Sequence, residues 1–159
     1  MTQSKNGIIL LLFSCTLLFF TANSLAAKRS ILYQVLYQDS EYYDDNAFGN
    51  KSIKVIRDWN TYADEVIKHT QEAIIDVNFS ESQVVVIDMG NRPNTGYGVK
   101  ISSVLEFDDY IVVYTKFSVG DYSSGECLPG EAITNPIVIL KINSQKEIIV
   151  REKYKSDPC

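Results

Sequence analysis

The run Val84-Val85-Val86-Ile87, inside the segment Gln83 to Met89, has no polar face. A strand apolar on both sides must be covered on both sides, so it reads as a central strand with a layer of structure above and below it. The flanking chain supplies the layers. On the N-terminal side, Trp59, Tyr62, Ala63, Val66 and Ile67 recur at helical spacing behind Asp58, a residue suited to an N-cap. This predicts one helix whose aromatic stripe, all five residues together, docks on a sheet. On the C-terminal side, Tyr97, Val99, Ile101, Leu105 and Phe107 alternate with polar residues, Asp108-Asp109 is turn material, and Tyr110 to Phe117 reads as the returning arm of a hairpin.

Shorter signals complete the chain. Ile31 to Tyr37 and Ser52 to Ile56 read as strands separated by a polar loop from Gln38 to Asn50. A long loop is expected from Ser118 to Glu131, and Ile137 to Ile142 and Glu147 to Val150 read as a final pair joined by Asn143-Ser144-Gln145-Lys146. The fold class is therefore mostly β, an antiparallel sandwich or curved sheet with one packed helix.

The N-terminus predicts export. Lys5 precedes an apolar run from Ile8 to Phe20, and Ser24-Leu25-Ala26 is a small-x-small cleavage pattern, so residues 1–26 read as a signal peptide. The run is shorter than the roughly 20 residues that span a bilayer, so no stable membrane span is expected after cleavage. A periplasmic or secreted product follows, with residues 27–159 as a single domain whose core covers about 53–150. A second reading takes Leu12-Phe13-Ser14-Cys15 as a lipoprotein box, with Cys15 as a lipidated envelope anchor. Cleavage after Ala26 removes Cys15 and leaves Cys127 and Cys159, which in an oxidising compartment are expected to form a disulfide. That bridge would close a loop of about 33 residues, worth roughly 3 to 4 kcal/mol in the loop-entropy treatment.

The chain carries a net charge of −5, and loss of the single lysine in the leader makes it more acidic. Such a surface repels phosphate backbones, and no nucleic-acid module is expected. No catalytic centre is expected either. His69 is the only histidine, no nucleophile-elbow motif accompanies it, and Cys127 is better explained by a disulfide than by a thiol–imidazole dyad. One histidine with two distant cysteines does not compose a zinc site, and Asp44-Asp45 and Asp108-Asp109 lack the calcium-loop pattern, so neither metal nor cofactor is expected.

What stands out is Gly90-Asn91-Arg92-Pro93-Asn94-Thr95-Gly96-Tyr97-Gly98, between two strands. Its glycines, proline and asparagines specify a tight backbone, with Gly96 expected at positive φ. Pro93 lowers the entropy lost on binding, and Arg92 and Tyr97 are residue types that anchor interfaces. Arg92, Pro93, Asn94, Thr95, Gly96 and Tyr97 are thus the candidate partner-binding loop.

Taken in order, Trp59 in a helix, Asp76-Val77-Asn78-Phe79, the Val84-to-Met89 strand, Pro93-Asn94-Thr95-Gly96-Tyr97 and Thr134-Asn135-Pro136 before an apolar strand make a pattern that resembles the C-terminal domain of the PrcB family, over roughly residues 53 to 150. These are envelope proteins named for a subunit of a surface protease complex. The resemblance implies a non-catalytic accessory domain that binds protein, with a protease as the implied partner. The loop is also similar to the Asn-Pro-Thr-Thr-Gly-Tyr loop of chagasin-type inhibitors of papain-like cysteine proteases, with Pro93, Thr95, Gly96 and Tyr97 in register. Val99 stands where that family has tryptophan, and its two other inhibitory loops have no counterpart here. Inhibition is the alternative reading.

Overall fold

The computed structural model describes residues 28–40, 50–70, 73–121 and 130–158. The leader, Cys15, Asp44-Asp45 and both cysteines of the expected bridge, Cys127 and Cys159, lie outside the described residues. The elements in chain order are β1 (Arg29–Ser30), β2 (Tyr33–Asp39), β3 (Ser52–Ile56), α1 (Trp59–Val66), β4 (Gln83–Asp88), β5 (Tyr97–Glu106), β6 (Tyr110–Asp121), β7 (Ile137–Ile142) and β8 (Glu147–Pro158). They form two four-stranded sheets, a back sheet ordered β2-β7-β4-β3 and a front sheet ordered β1-β5-β6-β8.

The Val84–Ile87 run explains the layering. Val85 and Ile87, with Leu140 of β7, point toward the front sheet and pack with its Val113 and Phe117, while Val84 and Val86 point the other way, onto Tyr62 and Val66 of α1. β4 is fully buried, held between β3 and β7 in antiparallel register. The result is helix, back sheet and front sheet stacked in that order. This is the mostly β architecture with one packed helix that the residue pattern predicts.

The helix is capped as expected, with Asp58 Oδ1 accepting from the Thr61 N–H at 2.9 Å. Its buried face differs from the predicted stripe. Tyr62 and Val66 are buried, but Trp59 and Ile67 are 41% and 59% exposed, and Glu65 and His69 are buried instead. The reason is the sheet beneath, whose Lys54 offers a cation. Glu65 lies 2.6 Å from Lys54 and 3.0 Å from Lys68, so its charge enters the interface already paired.

Two expectations about the C-terminal third are corrected. Ser118 to Asp121 is not loop but the end of β6. β7 and β8 do not pair with each other; β7 completes the back sheet, and β8 crosses to the front sheet, where it runs parallel to β6 over its whole length, from Tyr110↔Glu147 to Asp121↔Pro158. The crossing is imposed by buried Gln83, whose Nε2 donates to the carbonyls of Ser144 and Lys146 at 2.7 and 2.8 Å and whose Oε1 accepts from Arg57 Nε at 2.8 Å. Gln145 Nε2 adds bonds to the carbonyls of Phe79 and Ser82. A turn pinned by its side chains and carbonyls to the start of β4 cannot close a β7–β8 hairpin.

Register fixes which end of the stack carries the candidate loop. β2, β4 and β6 finish, and β5 and β7 begin, at the same end. The β4–β5 segment and the segment leading into β7 are therefore neighbours.

Candidate partner-binding loop

The loop leaves β4 through a sharp corner. Gly90 has φ 71° and is the positive-φ residue among the described residues; Gly96, which the composition favours for that role, is not. Asp88 forces the bend where it occurs, because its Oδ1 accepts from the Gly90 N–H at 2.6 Å. Only glycine takes that conformation without strain.

Beyond the corner the loop is laced to the chain that precedes β7. Arg92 and Thr134 exchange both backbone hydrogen bonds, N–H to O at 2.7 and 3.0 Å. Thr134 Oγ1 donates to the Asn94 carbonyl at 2.8 Å. The Thr95 N–H donates to the Gly130 carbonyl at 3.2 Å, and the Gly130 N–H donates to Thr95 Oγ1 at 2.9 Å. Within the loop, Asn94 Oδ1 accepts from the Gly96 N–H at 2.9 Å, and the Gly96 carbonyl accepts from the Gly120 N–H at 2.7 Å. Gly130 has a steric role, since a Cβ there would lie 3.1 Å from Thr95 Cγ2. Removing one clasp should loosen the loop measurably. Thr134→Val keeps the shape and deletes the donor to Asn94, so it is expected to cost about 1 kcal/mol, with faster amide exchange at Thr95 and Gly96 by NMR as the check.

The six expected loop residues divide into two groups. Arg92 and Tyr97 are half-buried and hold the loop: Arg92 Nη2 donates to the Met89 carbonyl, the Arg92 guanidinium lies 5.8 Å from the Tyr97 ring centre, and Tyr97 packs against the inter-sheet core. Pro93 and Thr95 are exposed. By the register of the Arg92–Thr134 bridge, Pro93 faces Ile133, a large apolar side chain that is 49% exposed. The presented surface is thus Pro93, Thr95 and Ile133, supported from below by Arg92, Asn94, Tyr97 and Thr134. Ile133 and Gly130 carry no local sequence signal of this role, because it arises from pairing about 40 residues away.

The root of the loop is polar and buried. Asn91 and Asn135 flank the bridge, and Asn91 Nδ2 and Oδ1, Arg92 Nε and Asn135 Oδ1 have no hydrogen-bond partner among the described residues. Burying such groups costs stability. A second polar cluster lies under α1. His69 Nε2 sits 3.7 Å from Glu65 Oε1, beyond hydrogen-bond length, and the ring is buried. The His69 imidazole, together with Lys54 and Lys68, holds the Glu65 carboxyl well below its ordinary value near 4.5, against burial, which pushes it up. Asp88 is shifted the opposite way, raised from 3.8 by burial.

The signs give a pH prediction. A lowered carboxyl contributes stability above its unfolded value that is lost as pH falls, whereas raised Asp88 contributes stability at low pH that is lost as pH rises through its folded value. Glu65→Gln is therefore expected to flatten the loss of stability below about pH 5, and Asp88→Asn to flatten the opposing change above about pH 4. Urea unfolding from pH 3 to 7 measures both slopes.

Among the described residues no group of three or more histidine, cysteine, aspartate or glutamate side chains could hold a metal ion, and no helix is long and apolar enough to cross a membrane. No curated protein and no solved structure matches the chain. Residues 83–143, running from the start of β4 through the loop, the β5–β6 hairpin and β7, match the family model described as PrcB C-terminal.

Proposed function

We propose that this is an exported, non-catalytic accessory domain that binds another protein through the Pro93–Thr95–Ile133 surface, and that the partner belongs to an envelope protease complex. The observation that carries the reading is the construction of the loop. It joins β4 to β5, and the nine hydrogen bonds described above hold it in one shape, while its root retains buried polar atoms without partners among the described residues. Stability alone does not favour such a root; a surface whose shape must be kept does. A pre-ordered loop loses little entropy on association, and an exposed proline opposite an exposed isoleucine offers an apolar contact inside a polar rim. The PrcB C-terminal match supports the class of partner.

Binding should depend on the presented residues and not on those beneath. Ile133→Glu is expected to reduce co-purification of the partner from envelope extract by about 30-fold or more, the loss typical of a hot spot, with the melting temperature unchanged because the side chain is half exposed. Leu32→Glu/Ile67→Glu, at more exposed apolar positions outside the loop, is expected to leave the partner bound. Equal recovery of the partner by both variants would remove the loop from the account.

A further inference from the structure

The outer face of the front sheet carries a basic patch that the loop does not use. Side chains alternate along strands, and Phe117 and Tyr154 share the inner face of the sheet, stacked at 5.1 Å, with Tyr154 exposed at its margin. Their neighbours point outward, and register places Lys100, Lys116 and Lys153 side by side in one row across β5, β6 and β8. Arg151 stands beside Tyr114 in the adjoining row, and Lys155 beside Ser118 in the row on the other side. Lys100, Arg151 and Lys153 are exposed and make no ion pair among the described residues. Glu152, the acid within this stretch, is on the opposite face, 2.5 Å from Lys51.

Neighbouring strands lie about 4.8 Å apart, so Lys100 on β5 and Lys153 on β8, one strand either side of β6, lie about 10 Å from each other on this face. The chain has 20 acidic and 15 basic residues, so a uniform surface would be acidic, yet five of its cations gather here. Beside the bulge between Ile101 and Ser103 lies a shallow depression whose lining combines Ser102, Ser103 and Tyr114 with Arg151, Lys153 and Glu152, which adds hydroxyl donors to the charges. The cations occupy rows about 7 Å apart and do not converge on one point. They match a layer of anions rather than a single ion.

We propose that this face docks on an anionic phospholipid surface, with headgroup phosphates meeting Lys100, Arg151 and Lys153. The loop end of the stack then stays free for the protein partner. Each cation near such a surface contributes about a five-fold gain in binding. The test is sedimentation of the full chain with vesicles of phosphatidylcholine containing phosphatidylglycerol, or of phosphatidylcholine alone, at about 0.1 M salt, where surface charges still act across roughly 10 Å. Wild type is expected to prefer the anionic vesicles. Lys100→Gln/Arg151→Gln/Lys153→Gln is expected to bind them about 100-fold more weakly, with an unchanged melting temperature. A charge-matched variant, Lys28→Gln/Lys68→Gln/Lys141→Gln, is expected to bind as wild type does. Binding driven by the apolar N-terminus would ignore both lipid charge and the triple substitution, and that result would overturn the proposal. So would affinity of this face for inorganic phosphate or a polyglutamate peptide without affinity for anionic vesicles.

Discussion

Phe117→Ala is expected to cost about 4 kcal/mol and to lower the melting temperature by on the order of 15 °C. Phe117 is fully buried in the inter-sheet core, where truncation forfeits both the transfer free energy of a ring and the packing around the cavity it leaves. Its outer flank is closed by Tyr154, stacked at 5.1 Å, with Lys51 5.5 Å from the ring centre. That flank exists because β8 runs parallel to β6, placing Tyr154 beside Phe117. A double-mutant cycle with Tyr154→Ala should accordingly show a coupling of about 1 kcal/mol between residues far apart in sequence. With a domain stability of about 5 to 15 kcal/mol the single variant still folds at 25 °C, so both legs of the cycle are measurable by urea unfolding. No coupling would mean that β8 does not lie where the structure puts it.

Gln83→Leu is expected to cost about 3 kcal/mol, although leucine has nearly the same volume and the site is fully buried. Packing alone would make this exchange harmless. The loss comes from the crossover turn, where two carbonyls, of Ser144 and Lys146, lose their donor together and Arg57 loses its acceptor; each unmade buried bond costs about 1 to 3 kcal/mol. Gln83→Glu is expected to be at least as destabilising at neutral pH, because it directs a carboxylate oxygen at two carbonyl oxygens, and to recover in part on acidification, when protonation restores a donor. Urea midpoints at pH 7 and pH 4.5 separate the two substitutions.

These two residues also show where the sequence is and is not legible. The central position of β4 follows from Val84 to Ile87, because no one-sided environment suits four consecutive branched apolar residues. The β5–β6 hairpin and the Asp58 cap follow from equally local rules. Gln83 begins the same strand, yet its function is to bind a turn about 60 residues away, and nothing in its neighbours encodes that. Without it, Asn143 to Lys146 reads as a hairpin connection. β8 runs past Val150 to Pro158 although Arg151-Glu152-Lys153-Tyr154-Lys155 contains no apolar alternation; its pairing is with the backbone of β6, and its outward cations form the basic face that composition conceals. The helix stripe misleads for a related reason. Periodicity identifies a face, but only the Lys54 ammonium under α1 decides that Glu65, and not Trp59 or Ile67, is turned inward.

The candidate loop is legible to the same depth. Its turn chemistry marks a non-strand segment between β4 and β5, in which Pro93 and Thr95 are exposed. Arg92 and Tyr97 have anchoring side chains, but the structure spends them on the loop itself. The positive-φ corner falls at Gly90 and not Gly96, because Asp88 captures the Gly90 N–H.

Site-specific photocrosslinking tests the binding surface most directly. A benzophenone amino acid at Thr95 or Ile133 is expected to capture one and the same partner, identifiable by mass spectrometry, whereas the probe at Leu32 or Ile67 captures none of it. Crosslinks to that partner from Leu32 or Ile67 but not from Thr95 and Ile133 would contradict the assignment of the surface.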